Sequence, residues 1–271
     1  MPTGIASLDP VLDGGVPTGS VVLLLGEPGA GSVEFVQTSI VRLSTLKRNE
    51  ISVGKHLLHP DGISYITLTR MQEDVLKEMA LSFNPGAYSL LAEKIVFHDL
   101  SEIYFNASIV PPDWYGGGSI IERLQKKQRS ESGDILTEIA RVLDSTPENS
   151  LIVMDSLTDI ASPLAERGRW HAFIALLRGL QRISKRRKTT IYLLLTSGIL
   201  DRSRENEIID SVDAAIRFRW EETGAQRRQR VMYFEKFQGV MPYLEDKNLV
   251  KFAARISAAG GFEVQNIRVI V

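Results

Sequence analysis

Residues 26–33, Gly26-Glu27-Pro28-Gly29-Ala30-Gly31-Ser32-Val33, have the spacing of a phosphate-binding loop, GxxxxGK[ST], without its two reactive side chains. In that pattern the lysine sets a positive charge against the β- and γ-phosphates, and the hydroxyl holds the metal that bridges them. Gly26 and Gly31 keep the spacing and Pro28-Gly29 supplies the turn, but Ser32 stands in the lysine's place and Val33 in the hydroxyl's. A hydrogen bond to a charged group contributes roughly 1.5–3 kcal/mol, so losing one weakens phosphate binding about tenfold to a hundredfold. The amides of residues 27–33 and the positive end of a following helix remain, and these attract anions without any side chain. The residues therefore imply weak binding of ATP, another nucleotide or phosphate, with or without magnesium, and no efficient phosphoryl transfer. The plainer alternative is a tight strand-to-helix turn that holds no ligand.

The elements that must position this loop show as alternating runs. Apolar β-type runs at 21–25, 63–68, 95–98, 151–155 and 190–196 are separated by helical patterns at 33–47, 72–82, 134–144 and 170–186. Continuous apolar runs between helices predict parallel strands covered on both faces. After residue 212, strands at 214–221, 229–236, 249–257 and 261–270 follow one another through short turns. That order predicts an α/β fold: a mostly parallel central sheet flanked by helices, with a C-terminal antiparallel β extension. One domain is expected over 1–271, its core at about 18–212 and its β-rich part at about 213–271. Residues 47–62, with Gly54, Pro60 and Gly62, and 110–119, with Pro111-Pro112 and Gly116-Gly117-Gly118, read as exposed loops.

Composition removes several classes of chemistry. Of 271 residues, 44% are hydrophobic, enough to bury a substantial core. The absence of cysteine excludes disulfides, thiolate metal sites and cysteine nucleophiles. His56, His59, His98 and His171 lack the spacing of a zinc site. A net charge of −1 gives no global field toward nucleic acid or an acidic membrane. Lys185-Arg186-Arg187-Lys188 would close a helix, where cations meet the negative end of the dipole, and Arg227-Arg228-Gln229-Arg230 would open a strand. Both read as solvated faces, so nucleic acid is not an expected partner. The opening Met-Pro-Thr-Gly carries no signal segment, and no run reaches the ~20 apolar residues of a membrane span. The expectation is a cytoplasmic protein with no membrane partner.

Several landmarks, in order, resemble one family. Thr3-Gly4-Ile5-Ala6-Ser7-Leu8-Asp9 leads through Gly14-Gly15-Val16-Pro17-Thr18-Gly19 into the loop strand. Leu151–Leu157 is similar to a Walker B strand, Leu194–Ser197 to a sensor strand, and Val212–Phe218, Arg230–Gly239 and Gly260–Val264 to late strands. Over about residues 3–265 the chain resembles the single-domain archaeal KaiC-like proteins of the RecA superfamily. The resemblance implies a RecA-like P-loop NTPase core, Asp155 holding the water shell of a magnesium ion, and Lys236 reaching a neighbour's nucleotide in a ring. It also implies a homo-oligomer, hexameric under the family's closed symmetry, and an apolar C-terminal run from Leu249 to Ile256 available to support it.

The departures from that family fall on its reactive positions. Thr69 and Arg70 replace two glutamates, one of which activates water, and neither accepts a proton as a carboxylate does. Gln238 replaces an arginine of the kind that accounts for roughly 10³–10⁵ in rate. With Ser32 and Val33, five positions of one site are altered, so no catalytic residue is assigned. The expected role is a non-hydrolysing regulator or scaffold in signalling, a pseudo-ATPase with an unknown protein partner. Its nucleotide contacts would be Gly26, Glu27, Pro28, Gly29, Ala30, Gly31, Ser32, Val33, Arg70 and Lys236, with Asp155 for a metal. The alternatives are an ATPase or kinase working through Arg70, Lys236 and Asp155, and a DNA-recombination accessory factor. Arg70 either begins the 72–82 helix as a surface residue or reaches the vacated pocket, where its fork suits phosphate oxygens. Asp155 is a metal ligand or a strand-end cap. Trp114 and Tyr115 form a recognition tip or an aromatic anchor.

Overall fold

Every residue of the first strand, β1 (Val21–Gly26), is buried, as a strand covered on both faces must be. Its alternation divides the core in two. Val22 and Leu24 join one apolar cluster, while Val21, Leu23 and Leu25 join another on the opposite face. The structure, a computed structural model, describes residues 1–45, 58–83, 86, 88–106, 108–115, 134–223, 227–258 and 260–266.

The elements follow in the order β1, α1 (Ser32–Thr45), β2 (Gly62–Thr67), α2 (Gln72–Phe83), α3 (Tyr88–Lys94), β3 (Ile95–Asp99) and α4 (Ser101–Phe105). Next come α5 (Ile135–Ser145), β4 (Ser150–Asp155), α6 (Leu157–Glu166), α7 (Trp170–Arg187), β5 (Thr190–Thr196) and α8 (Arg202–Asp210). β6 (Ala214–Thr223), β7 (Arg227–Phe237), α9 (Met241–Asp246), β8 (Lys251–Ser257) and β9 (Gly261–Asn266) complete the chain. One nine-stranded sheet runs β3-β2-β4-β5-β1-β6-β7-β8-β9. Its strands are parallel from β3 through β6 and antiparallel from β6 to β9. This is the α/β arrangement expected from the alternating runs.

Phe35, Val36, Ile40 and Val41 of α1, with Val75, Leu76 and Met79 of α2, cover one face, joined by Met1, Ile5, Leu8 and Leu12. Leu136 and Ile139 of α5, Ile160 and Leu164 of α6, and Phe173, Leu177 and Leu180 of α7 cover the other. The N-terminal segment is folded round one carboxylate. Asp9 accepts from Thr3 N (2.7 Å), Thr3 Oγ1 (2.7 Å) and Gly4 N (3.0 Å), which accounts physically for the Thr-Gly and Asp of that opening. Ser7 Oγ accepts from Val264 N at 2.8 Å, tying this segment to β9.

The four late strands fall close to the expected ranges, with β9 ending at Asn266 and residues 267–270 of the predicted strand outside the described residues. The loop expected at 110–119 contains one 3₁₀ turn, Pro112–Trp114, and its glycines are not among the described residues. Of the loop expected at 47–62, residues 58–61 are described and Gly62 opens β2. In β8 Phe252 and Ala254 are buried, and Leu249, Val250 and Ile256 pack on the same cluster. The apolar C-terminal run is thus covered by the chain's own core and does not by itself call for a second copy.

Candidate phosphate-binding site

β1 ends at Gly26 and α1 begins at Ser32, so the glycine segment forms the turn between them. The loop is gripped from outside. Glu27 N donates to Phe218 O (3.0 Å) and Ala30 N to Glu27 O (3.0 Å). Trp220 N donates to Glu27 Oε2 at 3.0 Å and Trp220 Nε1 to Pro28 O at 3.2 Å. Arg230 Nε donates to Gly29 O at 2.9 Å, and its guanidinium lies 4.4 Å from the centre of the Trp220 ring. Arg228 lies 4.8 Å from the same ring. Gly31 has φ +115, and a Cβ there would stand 2.8 Å from the Phe262 ring of β9, so only glycine fits. A Cβ on Gly26 would overlap Ser32 Oγ. The spacing of the two glycines is therefore a steric requirement of this backbone, met whether or not a ligand is present.

A second group of residues gathers where β2 and β4 end. Thr67 pairs with Asp155 across these strands. Thr67 Oγ1 donates to Arg70 O (2.8 Å) and accepts from Arg70 N (3.0 Å), a local turn that aims Arg70. Arg70 Nη1 reaches Asp155 Oδ2 at 3.4 Å, while Nη2 pairs with Glu78 of α2. Glu78 Oε1 accepts from Gln37 Nε2 of α1 at 2.7 Å, and Tyr65 Oη donates to Asp155 Oδ2 at 2.5 Å. The Asp155 side chain is 11% exposed and that of Arg70 30%. Burial raises the Asp155 carboxyl above its ordinary range, against the pull of Tyr65 and Arg70. Burial also raises the Tyr65 phenol, and the Asp155 charge adds to it. Burial opposes the charge on Arg70, but its anionic surroundings outweigh that and hold the guanidinium more firmly protonated.

The structure thus brings Arg70 and Asp155 together and gives Arg70 fixed partners rather than a bare surface position. A magnesium ion would lack the loop hydroxyl, which Val33 does not supply, and would meet the Arg70 cation already paired with Asp155 Oδ2, which Tyr65 also holds. Among the described residues no cluster of three or more His, Cys, Asp or Glu side chains could hold a metal. The residues present do not fit that ion as they stand.

Lys236 lies apart from both groups. It pairs with Ala215, which lies beside Leu23, three residues short of Gly26 along β1. Its Nζ donates to Ile209 O (2.9 Å) and Asp210 O (2.8 Å), capping the last carbonyls of α8, and burial lowers its pKa. Thr69 and Gln238 are exposed. In the first basic run, Lys185 Nζ donates to Asp213 Oδ1 at 2.5 Å, and Arg187 Nη1 donates to Leu143 O and Asp144 O at 3.0 and 2.6 Å. These two cations are structural, which a solvated-face reading misses. Tyr115 stacks on Phe105 with centroids 5.1 Å apart while Trp114 is 77% exposed, so Tyr115 is the anchor of that pair.

No protein-family model matches the chain, and no curated protein does. Solved structures do. The chain superposes on a KaiC-like protein from the hyperthermophilic archaeon Pyrococcus horikoshii OT3 with a TM-score of 0.62 and 20% identity, covering 98% of each chain. It also superposes on the flagellar accessory protein FlaH from Methanocaldococcus jannaschii with a TM-score of 0.61 and 14% identity, covering 96% of each chain. The fold is that of the KaiC-like proteins, the RecA-like P-loop fold. Identities this low carry the fold and leave activity open. Within the KaiC-like fold, the reading by motif did not foresee Tyr65, Glu78, Gln37, Trp220 or Phe262. Only Trp220 left a usable signal, since Trp220, Arg228 and Arg230 fall at even spacing on two strands of one hairpin.

Proposed function

We propose that this chain is a non-hydrolysing KaiC-like regulator or scaffold, a pseudo-ATPase that binds a nucleotide weakly and takes no part in phosphoryl transfer. The observation that carries the reading is the arginine on Asp155: the carboxylate of the Walker B position is paired with Arg70, on the strand end where a water-activating glutamate is required. The glycine loop supports weak phosphate binding because its backbone frame is retained. In an ATPase assay with magnesium, the purified chain is expected to give no hydrolysis above background. Turnover near an ordinary enzyme's rate of roughly 1 per second, abolished by Asp155→Ala, refutes the reading.

The protein works with protein partners and with copies of itself, in a hexamer if the closed symmetry of ring-forming relatives holds, as a cytoplasmic component of a signalling system. The accessory role named for FlaH is the kind of task such a chain performs. Among the described residues no helix is long and apolar enough to cross a membrane. Light scattering at micromolar concentration tests assembly: a species of several copies is expected with and without ATP, and a 30.2 kDa particle in both samples removes it.

A further inference from the structure

A carboxylate as enclosed as Asp155 needs a balancing cation or hydrogen-bond donors. In a metal site the ion provides that balance and dominates the local charge. Here the Tyr65 phenol at 2.5 Å and the Arg70 guanidinium at 3.4 Å converge on Oδ2. We infer that Arg70 stands in for the divalent cation, so that the site takes the phosphates of a nucleoside di- or triphosphate in metal-free form. The inference rests on the nucleotide-binding reading above and adds the chemical form of the ligand.

Three observations support it. The charge on Arg70 is permanent, since a guanidinium does not deprotonate in proteins. Its position is fixed at both ends. The Thr67 turn holds its backbone, and Glu78 holds its fork and is itself bonded to Gln37 of α1, the helix that begins at Ser32. Finally, a guanidinium has five N–H donors, and among the described residues its side-chain acceptors are Asp155 through Nη1 and Glu78 through Nη2, which leaves N–H groups for phosphate oxygens. A magnesium-chelated polyphosphate would set a second cation beside Arg70, against a carboxylate whose Oδ2 Tyr65 and Arg70 already hold. Chelation should therefore hinder binding here, the reverse of the ordinary P-loop case.

The test is an equilibrium titration of fluorescent ATP against the full chain, in EDTA and in excess magnesium. Wild-type binding is expected to be as tight in EDTA as in magnesium, or tighter. Arg70→Gln should weaken the EDTA affinity roughly tenfold to a hundredfold, as loss of a charged hydrogen bond does, while Arg70→Lys should retain part of it. Tightening of wild-type binding by tenfold or more on adding magnesium overturns the inference, and that measurement needs no variant to fold. If ATP binds in neither buffer, the nucleotide reading fails, and manganese alone then decides the cation question. Paramagnetic resonance of wild type with Mn²⁺ that shows only free ion supports Arg70 as the resident cation. Bound Mn²⁺ that is lost in Asp155→Asn overturns it.

Discussion

The loop at the end of β1 and the corner at the ends of β2 and β4 lie at the same carboxyl end of the parallel strands but are stabilised by different means. The loop is held through its backbone: the carbonyls of Pro28 and Gly29 accept from Trp220 and Arg230, and Gly31 leaves room for Phe262. None of these contacts uses the Ser32 or Val33 side chain as a charge or a metal ligand. The corner is held through side chains, with Asp155, Arg70, Glu78 and Gln37 in one chain of contacts. Backbone-held geometry survives the replacement of reactive side chains. A charge-held corner does not, because a buried carboxylate left alone is costly, and its partner can change only if another donor arrives. That difference explains how Ser32 and Val33 can stand in a well-formed loop, while Arg70 comes with Tyr65 and Glu78.

The largest effect should come from breaking the loop's backbone. Gly31→Val places a β-branched side chain at φ +115 against Phe262. Strain of roughly 1–3 kcal/mol and overpacking of roughly 1–3 kcal/mol give a destabilisation of about 2–6 kcal/mol, read by urea melts. A change below about 0.5 kcal/mol would show that the loop relaxes freely and that the backbone account is wrong. In the same loop, Ser32→Lys with Val33→Thr should leave stability within about 0.5 kcal/mol and strengthen ATP binding. Hydrolysis should stay at background because Thr69 and Arg70 still provide no base. Rapid turnover from that double substitution alone would contradict the role given to positions 69 and 70.

Breaking the corner should cost less, because Arg70 is partly solvated. Removing one member of a fully buried pair costs roughly 3–5 kcal/mol, and with Arg70 30% exposed screening reduces this to about 1–3 kcal/mol. Arg70→Ala and Asp155→Asn, singly and together, should show a coupling of about 1 kcal/mol in a double-mutant cycle, where simple additivity would deny the contact. The pH dependence has a definite sign. The folded-state pKa of Asp155 is raised, chiefly by burial, so its contribution is complete below the ordinary carboxylate value. It is lost as pH rises through the raised folded value. Relative to Asp155→Asn, wild type should lose stability across that window and change little above it. A difference that grows with pH would reverse the assignment of burial as the leading cause.

The sheet could be read from the sequence because its signal is local. Val21–Leu25 and Leu151–Met154 are short apolar runs, and burial on both faces is what such runs predict. The shorter helices could not be read so easily. Among the hydrophobic residues of α8 only Ile208 is fully buried, which leaves no apolar stripe. In α6 Pro163 interrupts the pattern, although Ser156 and Asp159, bonded at 2.8 Å, carry a capping signal at its start. The loop frame was visible because its glycines lie within eight consecutive residues. The corner was not, since Arg70 and Asp155 are 85 residues apart, and motif comparison reaches only as far as placing Arg70 near an emptied pocket. Which carboxylates receive it depends on β2 lying beside β4 and α2 crossing to α1, which no local pattern encodes.

The smallest expected effect sharpens the comparison most. Trp220→Phe keeps an aromatic ring beside Arg228 and Arg230 but removes the indole N–H that donates to Pro28 O at 3.2 Å. A neutral hydrogen bond contributes about 0.5–1.5 kcal/mol, and this one is solvent-facing, so about 0.5 kcal/mol is expected, near the limit of denaturant melts. Hydrogen exchange is the better readout because it resolves the two regions. Exchange of the Ala30 amide, bonded to Glu27 O at 3.0 Å, should quicken a few-fold as the loop loosens. The Arg70 amide, bonded to Thr67 Oγ1 at 3.0 Å, should keep its wild-type rate, since the hydrogen bonds of Trp220 among the described residues go to Glu27 and Pro28 and not to the corner. Equal acceleration at both amides would mean that loop and corner open as one unit, and the distinction between a backbone-held and a charge-held region would no longer describe this site.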